Sequence, residues 1–430
     1  MPERDPFAFR MAHIVCGTGA GASLRRGSLR PDARTDTTSG ATIGALYLLR
    51  CIVNYKVIST DDHLQEAPHV WTARMSKAKW GENIPQIKRD PDNTEHWYIH
   101  GQKIRGGGVA NVRGIMPVGK PPVRWEDVPQ KAYVPKERVK AMDEDGVDVH
   151  TFFGNIAGVA GATLSNPEFS EEFRLDGIRA YNDFQIEEWA TPYPGRFITL
   201  ANLPMWDVKL AVAEAQRTAK RGIKGISFAF PEQWGYPSVA DPYWDPLWAA
   251  AQEANLSINF HIGSGASMGM NSKTAPITTQ SPLIHVAVIS TRSITANVEV
   301  MITILFSGIL EKFPKLKFVS SESGIGWVPY LMEVADHQWE AQALGPKGAM
   351  RLKPSEYFKR QCYVNFWFEE LGPKLRHTIG INNIMWESDF PHGTGTYPKS
   401  REYIEKCMHD WTAEERQKVL VDNARKVFNL

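Results

Sequence analysis

The chain has 430 residues, 43% of them hydrophobic and 23% charged, with 49 Lys+Arg against 48 Asp+Glu and a formal net charge of +1. This is the composition of an ordinary globular protein of one large or two smaller domains. It gives no basic excess to neutralise phosphates, and no zinc-finger or RNP pattern accompanies it, so a nucleic-acid partner is not expected. Four scattered cysteines, Cys16, Cys51, Cys362 and Cys407, form neither a disulfide framework nor a CxxC site, which fits a reducing cytoplasm.

Residues 1–54 read as a loosely ordered extension. "SLRRGSLRPDARTDTTSGA" has no apolar period, and the apolar "ATIGALYLLRCIVNY" after it is interrupted by Arg50 and too short to span a bilayer. Neither a signal peptide nor a membrane partner is expected.

From residue 55 the chain alternates strand-like and helix-like segments. The predicted strands are 56–61 (KVISTD), 146–153 (GVDVHTFF), 196–203 (RFITLANL), 223–230 (IKGISFAF), 256–263 (LSINFHIG), 315–323 (KLKFVSSES), 362–368 (CYVNFWF) and 383–390 (NIMWESDF). Amphipathic stretches such as "SEEFRLDGIRAYNDFQIEEWA" and "DVKLAVAEAQRTAKRG" lie between them. Eight strands separated by crossover helices predict a (β/α)8 TIM barrel over 55–430, with its chemistry at the C-terminal strand ends. A doubly wound open sheet is the alternative, disfavoured because no Gly-rich dinucleotide loop follows a strand. One connection breaks the rhythm. Residues 67–135, after the first strand, are rich in Gly and Pro with a hairpin-like centre, and are expected to form a lid over the barrel mouth or an oligomer contact arm.

The stretch "VISTDDHLQE" crowds three acids and a histidine against the first strand. Asp61 and His63, two apart at a strand end, share one face and can converge inside the barrel mouth. Charge buried there needs a partner, and a divalent cation supplies it. His261 closes the fifth strand and Asp389 the eighth, at the corresponding rim. A lone strand-end histidine is ordinarily a hydrogen-bonded structural residue, and a lone aspartate ordinarily an N-cap. Four at matching rim positions point instead to a mixed nitrogen and oxygen site for one divalent ion, zinc first, with manganese, iron or magnesium as alternatives.

The order of "TDDHLQE", "NFHIG", "KFVSSESGIGWVPYLMEVAD", "IMWESDFPHGTGTYP" and "VDNARKVFNL" resembles the amidohydrolase superfamily, in its amidohydrolase-related branch. That branch includes aminocarboxymuconate-semialdehyde decarboxylase, resorcylate decarboxylases and many hydrolases. The resemblance spans roughly 55–430 and implies a barrel, a mononuclear metal centre and a homodimer. Carried over by position, it puts the ligands on Asp61, His63, His261 and Asp389. Many relatives have His-x-His where this chain has Asp61-x-His63. A second departure is Glu322, where the decarboxylases of the branch carry a histidine that binds or protonates substrate. A carboxylate at that place repels the substrate's own carboxylate unless one of the two is protonated, and this favours a hydrolase.

Further candidates are Glu66, to fix His63 or meet substrate, Arg292, to grip a substrate carboxylate, His150, to line the pocket, and His392, to act as a general acid beside Asp389. The resulting expectation is a hydrolase of a small aromatic or cyclic substrate. It would use a metal-activated water, with Asp389 carrying the proton and Glu322 and His392 assisting. The alternative is a non-oxidative decarboxylase of an aromatic or unsaturated acid. A catalytically dead barrel kept for binding is a third reading, which the near-complete ligand set opposes.

Overall fold

The computed structural model describes residues 55–104, 108–117, 120–262, 264 and 282–430. The expectation for 1–54 therefore lies outside the described residues.

Eight strands form one parallel sheet in the order β1 (Asp62–Leu64), β5 (His150–Gly154), β6 (Phe197–Ala201), β7 (Gly225–Phe228), β8 (Ser257–His261), β9 (Lys317–Ser321), β10 (Cys362–Phe366) and β11 (Ile384–Trp386). The two edges meet. Thr60 N–H donates to Trp386 O at 3.0 Å, Asp389 N–H to Asp61 O at 3.0 Å and His63 N–H to Phe390 O at 2.6 Å. These bonds join the first strand to the last and complete a TIM barrel.

All eight predicted strands are present, but the first is displaced. Its ladder with β5 covers Asp62–Leu64, and upstream there is only a single bridge between Ile58 and Val149. The reason is the seam, because Thr60 and Asp61 spend their backbone groups on the far edge, at Trp386 and Asp389.

The crossover helices start where the sequence supplies caps. Ser170 accepts from Phe173 N–H ahead of helix Glu171–Phe184, and Asp207 accepts from Lys209 and Leu210 N–H ahead of Val208–Lys220. Helix Pro135–Asp145 ends on Gly146, whose φ of +82° is the left-handed exit that glycine adopts without strain. The insertion between β1 and β5 contains a three-stranded antiparallel sheet of β2 (Gln86–Arg89), β3 (Glu95–Ile99) and β4 (Gln102–Lys103).

Register decides which way each strand residue faces. His63 pairs with Phe153, and the Phe153 ring lies 6.1 Å from the His63 ring and 4.8 Å from that of His261, so these residues face the barrel interior. Phe152 packs on Phe197 and Trp189 in the helix layer, so Phe152 and its strand neighbours two residues away face outward.

Candidate metal centre

Four strands bring five potential ligands together: Asp61 and His63 at β1, His261 at the end of β8, Glu322 just after β9 and Asp389 in the loop after β11. His63 Nε2 lies 3.1 Å from His261 Nε2. Asp61 Oδ1 is 3.7 Å from His63 Nε2, and its Oδ2 is 3.6 Å from His261 Nε2. Asp389 Oδ1 is 3.6 Å from His63 Nε2, and Glu322 Oε2 is 2.9 Å from His261 Nε2. Metal–ligand bonds of about 2.0–2.2 Å would separate neighbouring donors by roughly 2.8–3.6 Å in tetrahedral or octahedral geometry. The observed spacings lie in or near that range, and the donor atoms form two groups that share His63, one with Asp61 and His261 and one with Glu322, Asp389 and His392, each within 4.8 Å of one another.

The donor atoms are also chemically available. His261 Nδ1 donates to Ile262 O at 3.0 Å, which leaves its Nε2 lone pair directed at the cluster. Burial, helped by His392 and His261, holds His63 well below the usual histidine range, so its imidazole is neutral. Asp61 is completely buried, and neither of its carboxylate oxygens has a hydrogen-bond partner. Buried polar atoms are almost always paired, so this orphaned carboxylate fits a cation. Burial raises Asp61 well above the ordinary carboxylate range, and Glu387, Glu322, Asp389 and Asp62 raise it further.

Two of the acids occupy strained backbone. Glu322 and Asp389 have φ of +53° and +55°, a region that residues other than glycine seldom visit and that occurs preferentially at functional sites. The turn after Asp389 requires a glycine, because a Cβ on Gly395 would lie 2.7 Å from Asp389 O and 2.8 Å from Ser388 O. His392, in the same turn, faces Asp389 Oδ1 through Nδ1 at 2.8 Å, and its ring lies 3.8 Å from that of His63. Burial pulls His392 down, but the charge and hydrogen bond of Asp389 outweigh it and leave the imidazole above its ordinary value. Glu322 is raised by burial and then by Asp389.

Asp61, His63, His261, Asp389, Glu322 and His392 thus stand together, as the sequence suggested. Three other candidates have different surroundings. His150 pairs in register with Phe197 and so faces outward, where its Nδ1 meets Arg138 at 3.4 Å and its Nε2 lies 3.7 Å from Asp62. It does not line the pocket. Glu66 accepts Ile156 N–H and Ala157 N–H, both at 2.9 Å, so it clamps the loop after β5 rather than meeting His63 or substrate. Arg292 is half-buried on helix Pro282–Phe306, which follows β8.

Three residues join the site from outside the predicted set. Glu387, fully buried, accepts Glu322 N–H at 3.2 Å. It lies two residues before Asp389, and the spacing logic that picked out Asp61 and His63 would have found it. Asn111, from the insertion, donates to His392 Nε2 at 2.9 Å. Close by, Gly114 N–H bonds Pro391 O, and a Cβ there would lie 2.1 Å from His392 O. Arg138 is buried behind His63, whose carbonyl it binds. No local pattern announces either Asn111 or Arg138.

Comparison with known proteins agrees with this geometry. The model of the family described as amidohydrolase matches residues 96–430. Gamma-resorcylate decarboxylase of Polaromonas sp. (strain JS666 / ATCC BAA-500) is 26% identical over 68% of this chain and 86% of its own length. The same enzyme of Rhizobium sp. (strain MTP-10005) is 23% identical over 71% and 90%. Among solved structures, amidohydrolase map2389c from Mycobacterium avium subsp. paratuberculosis K-10 superposes with a TM-score of 0.68 at 22% identity, covering 87% of this chain and all of that one. Dihydroxybenzoic acid decarboxylase from Polaromonas sp. JS666, solved with bound manganese and 2-nitroresorcinol, gives a TM-score of 0.58 at 19% identity, covering 87% and 97%. Among the described residues no helix is long and apolar enough to cross a membrane. With a family match over most of its length and this donor set at the mouth of a TIM barrel, the chain belongs to the amidohydrolase superfamily, in the branch typified by aminocarboxymuconate-semialdehyde decarboxylase.

Proposed function

We propose that the protein is a metal-dependent, non-oxidative decarboxylase of a hydroxylated aromatic carboxylic acid. The observation that carries this reading is the joint presence of Asp61, His63, His261 and Asp389 as a clustered donor set in a chain whose curated relatives, aligned over 86–90% of their own lengths, are gamma-resorcylate decarboxylases. Oxygen-rich donor sets suit manganese or magnesium, which moves the preference from zinc toward manganese.

A divalent ion in this site would supply a Lewis acid for the substrate's carboxylate and its neighbouring phenolic oxygen. The reaction then requires one proton on the ring carbon, cleavage of the bond to the carboxylate, and departure of carbon dioxide. Glu322 suits the proton delivery by its place, on the left-handed turn after β9 with Oε2 2.9 Å from His261 Nε2 and so beside any substrate bound at the cluster. A protonated Glu322 also removes the repulsion of the substrate's carboxylate that the sequence raised against decarboxylation. After carbon dioxide leaves, a solvent proton restores the acid. Asp389 accepts from Thr394 Oγ1 at 2.7 Å and faces His392 Nδ1 at 2.8 Å, which fixes its carboxylate beside the reacting groups.

Hydrolysis is the second reading, favoured by the carboxylate of Glu322 where the resemblance leads one to expect histidine. Incubation with 2,6-dihydroxybenzoate and related phenolic acids separates the two. A decarboxylase releases carbon dioxide and, in deuterium oxide, places one deuterium on the ring carbon. Product that takes oxygen from heavy-oxygen water, with no carbon dioxide released, would overturn the proposal in favour of a hydrolase.

A further inference from the structure

Behind the metal ligands lies a group that this chemistry does not use. Arg138, in the first turn of helix Pro135–Asp145, is fully buried, with a relative exposure of 0%. Its Nε donates to Lys131 O at 2.7 Å, and its Nη2 donates to Ala132 O and to His63 O, both at 3.0 Å. The face of the guanidinium lies 4.0 Å from the ring centroid of Phe390, the residue after Asp389. Since arginine can only donate, His150 Nδ1, 3.4 Å from Nη1, must accept, which turns its Nε2–H toward Asp62.

One planar cation therefore touches both edges of the barrel seam and the end of the insertion. It holds the carbonyl of the metal ligand His63 on one edge. On the other it supports Phe390, whose own carbonyl accepts from His63 N–H at 2.6 Å. Its other two carbonyls, those of Lys131 and Ala132, belong to the short helical turn Gln130–Ala132 that precedes the helix. The direction in which His63 leaves the backbone sets where its Nε2 falls relative to His261. A shift of about 1 Å there would take the donor spacing out of the range a single ion can bridge.

We propose that Arg138 is a positioning residue of the metal centre, locking His63 and the Asp389 turn into the spacing that binds the ion. The proposal rests on the metal centre and is indifferent to whether decarboxylation or hydrolysis takes place there. Lysine cannot replace the fork, because one ammonium cannot bond three carbonyls while lying flat on an aromatic ring.

The test is manganese affinity of the full-length, metal-stripped protein, measured calorimetrically at a temperature where every variant is folded. R138K and R138Q are expected to weaken binding roughly tenfold or more, the usual scale for losing an outer partner of a ligand. I304A serves as control. It removes buried side chain from helix Pro282–Phe306, lowers thermal stability, and should leave affinity at the wild-type level. If R138Q does not fold, R138K alone decides. Affinity within twofold of wild type in a folded Arg138 variant would overturn the proposal, as would an equal loss in I304A. Wild-type protein that binds no manganese would sink the metal centre itself. Because activity is not read, failure of the decarboxylase reading leaves this result standing.

Discussion

Asp61 and Asp62 are neighbours in sequence, identical in chemistry and equally buried, each with a relative exposure of 0%, yet their surroundings are opposite. Asp62 faces the helix layer and accepts from Thr151 N–H and Phe390 N–H, both at 3.2 Å, and from the Ser388 hydroxyl, with the Arg138 charge nearby. Asp61 faces the barrel interior and accepts from nothing, with two imidazole nitrogens and the carboxylates of Glu322 and Asp389 around it. Burial alone therefore says little about what an acid is for. The partnered aspartate is architecture, and the unpartnered one has the chemistry of a cation ligand.

Alanine at each position should split the two roles, and this is the largest effect expected. Asp61→Ala removes a ligand without stranding a donor, so manganese affinity should fall on the order of 100-fold, while the metal-free melting temperature holds or rises. Asp62→Ala strands two backbone N–H groups, a hydroxyl and a buried cation, so it should cost about 2–4 kcal/mol of stability and, acting only through Arg138 and the Phe390 turn, weaken manganese binding far less than Asp61→Ala. Thermal melts and metal titrations on both variants check this. If the two results were exchanged, the assignment of architecture and ligand would be reversed.

Much of this contrast was legible in the sequence, for a definite reason. Strand alternation is a local signal, so eight strands and the shared face of Asp61 and His63 could be read directly. Rim positions follow from strand ends, which brought in His261 and Asp389, while Glu322 came from the family resemblance, as the residue standing where the decarboxylases carry histidine. What alternation cannot tell is which face is the inner one. His150 was a candidate for the pocket against the plainer reading of a hydrogen-bonded barrel histidine, and its register with Phe197 and its contact with Arg138 place it outside. The first strand was placed early because its backbone bonds cross the seam to residues about 326 positions away. Arg138 and Asn111 reach the site from a helix and from the insertion, over separations of 75 and 281 residues, and no periodicity within either segment encodes such contacts. Glu66 looked like a partner for His63, but its two oxygens close the β5 loop instead.

The interior acids also give the metal-free protein a distinctive response to pH. Asp61, Glu322 and Glu387 are all raised by burial, and Glu66 is raised to about 7. A folded-state pKa above that of the unfolded chain means that the native protein holds protons the unfolded chain has released. Stability is then fullest below the ordinary carboxylate values and falls as pH rises through the folded values. For Glu66 that window runs from 4.5 to about 7. Chelator-treated protein should therefore melt at a lower temperature at pH 7.5 than at pH 5. Saturating manganese should flatten or reverse the trend, since the ion binds the ionised form of Asp61. Asp62, raised to about 8, adds to this trend, whereas His63 and His150, held below the ordinary histidine range, oppose it. A metal-free protein that gains stability over this range would therefore show that the histidines outweigh the buried acids.

Glu387 is the intermediate case, and it sharpens the comparison with the smallest effect. It is as buried as Asp61 and stands near Glu322, Asp389 and Asp62. Like Asp61 it has an oxygen without a partner, Oε1, but like Asp62 it accepts a backbone N–H, that of Glu322 at 3.2 Å. Burial holds it well above the ordinary carboxylate range, and the neighbouring carboxylates push it in the same direction. Its place beneath Glu322 therefore suits a neutral acid that braces the left-handed turn rather than a ligand. Glutamine has the same shape, no charge and an oxygen for the Glu322 N–H, so Glu387→Gln should change stability by no more than about 1 kcal/mol and leave manganese affinity within a few fold. An ionised Glu387 would instead behave as Asp61 does, and the substitution would empty the metal site. Titrating manganese into the metal-stripped variant, alongside a melting curve, distinguishes a brace from a ligand.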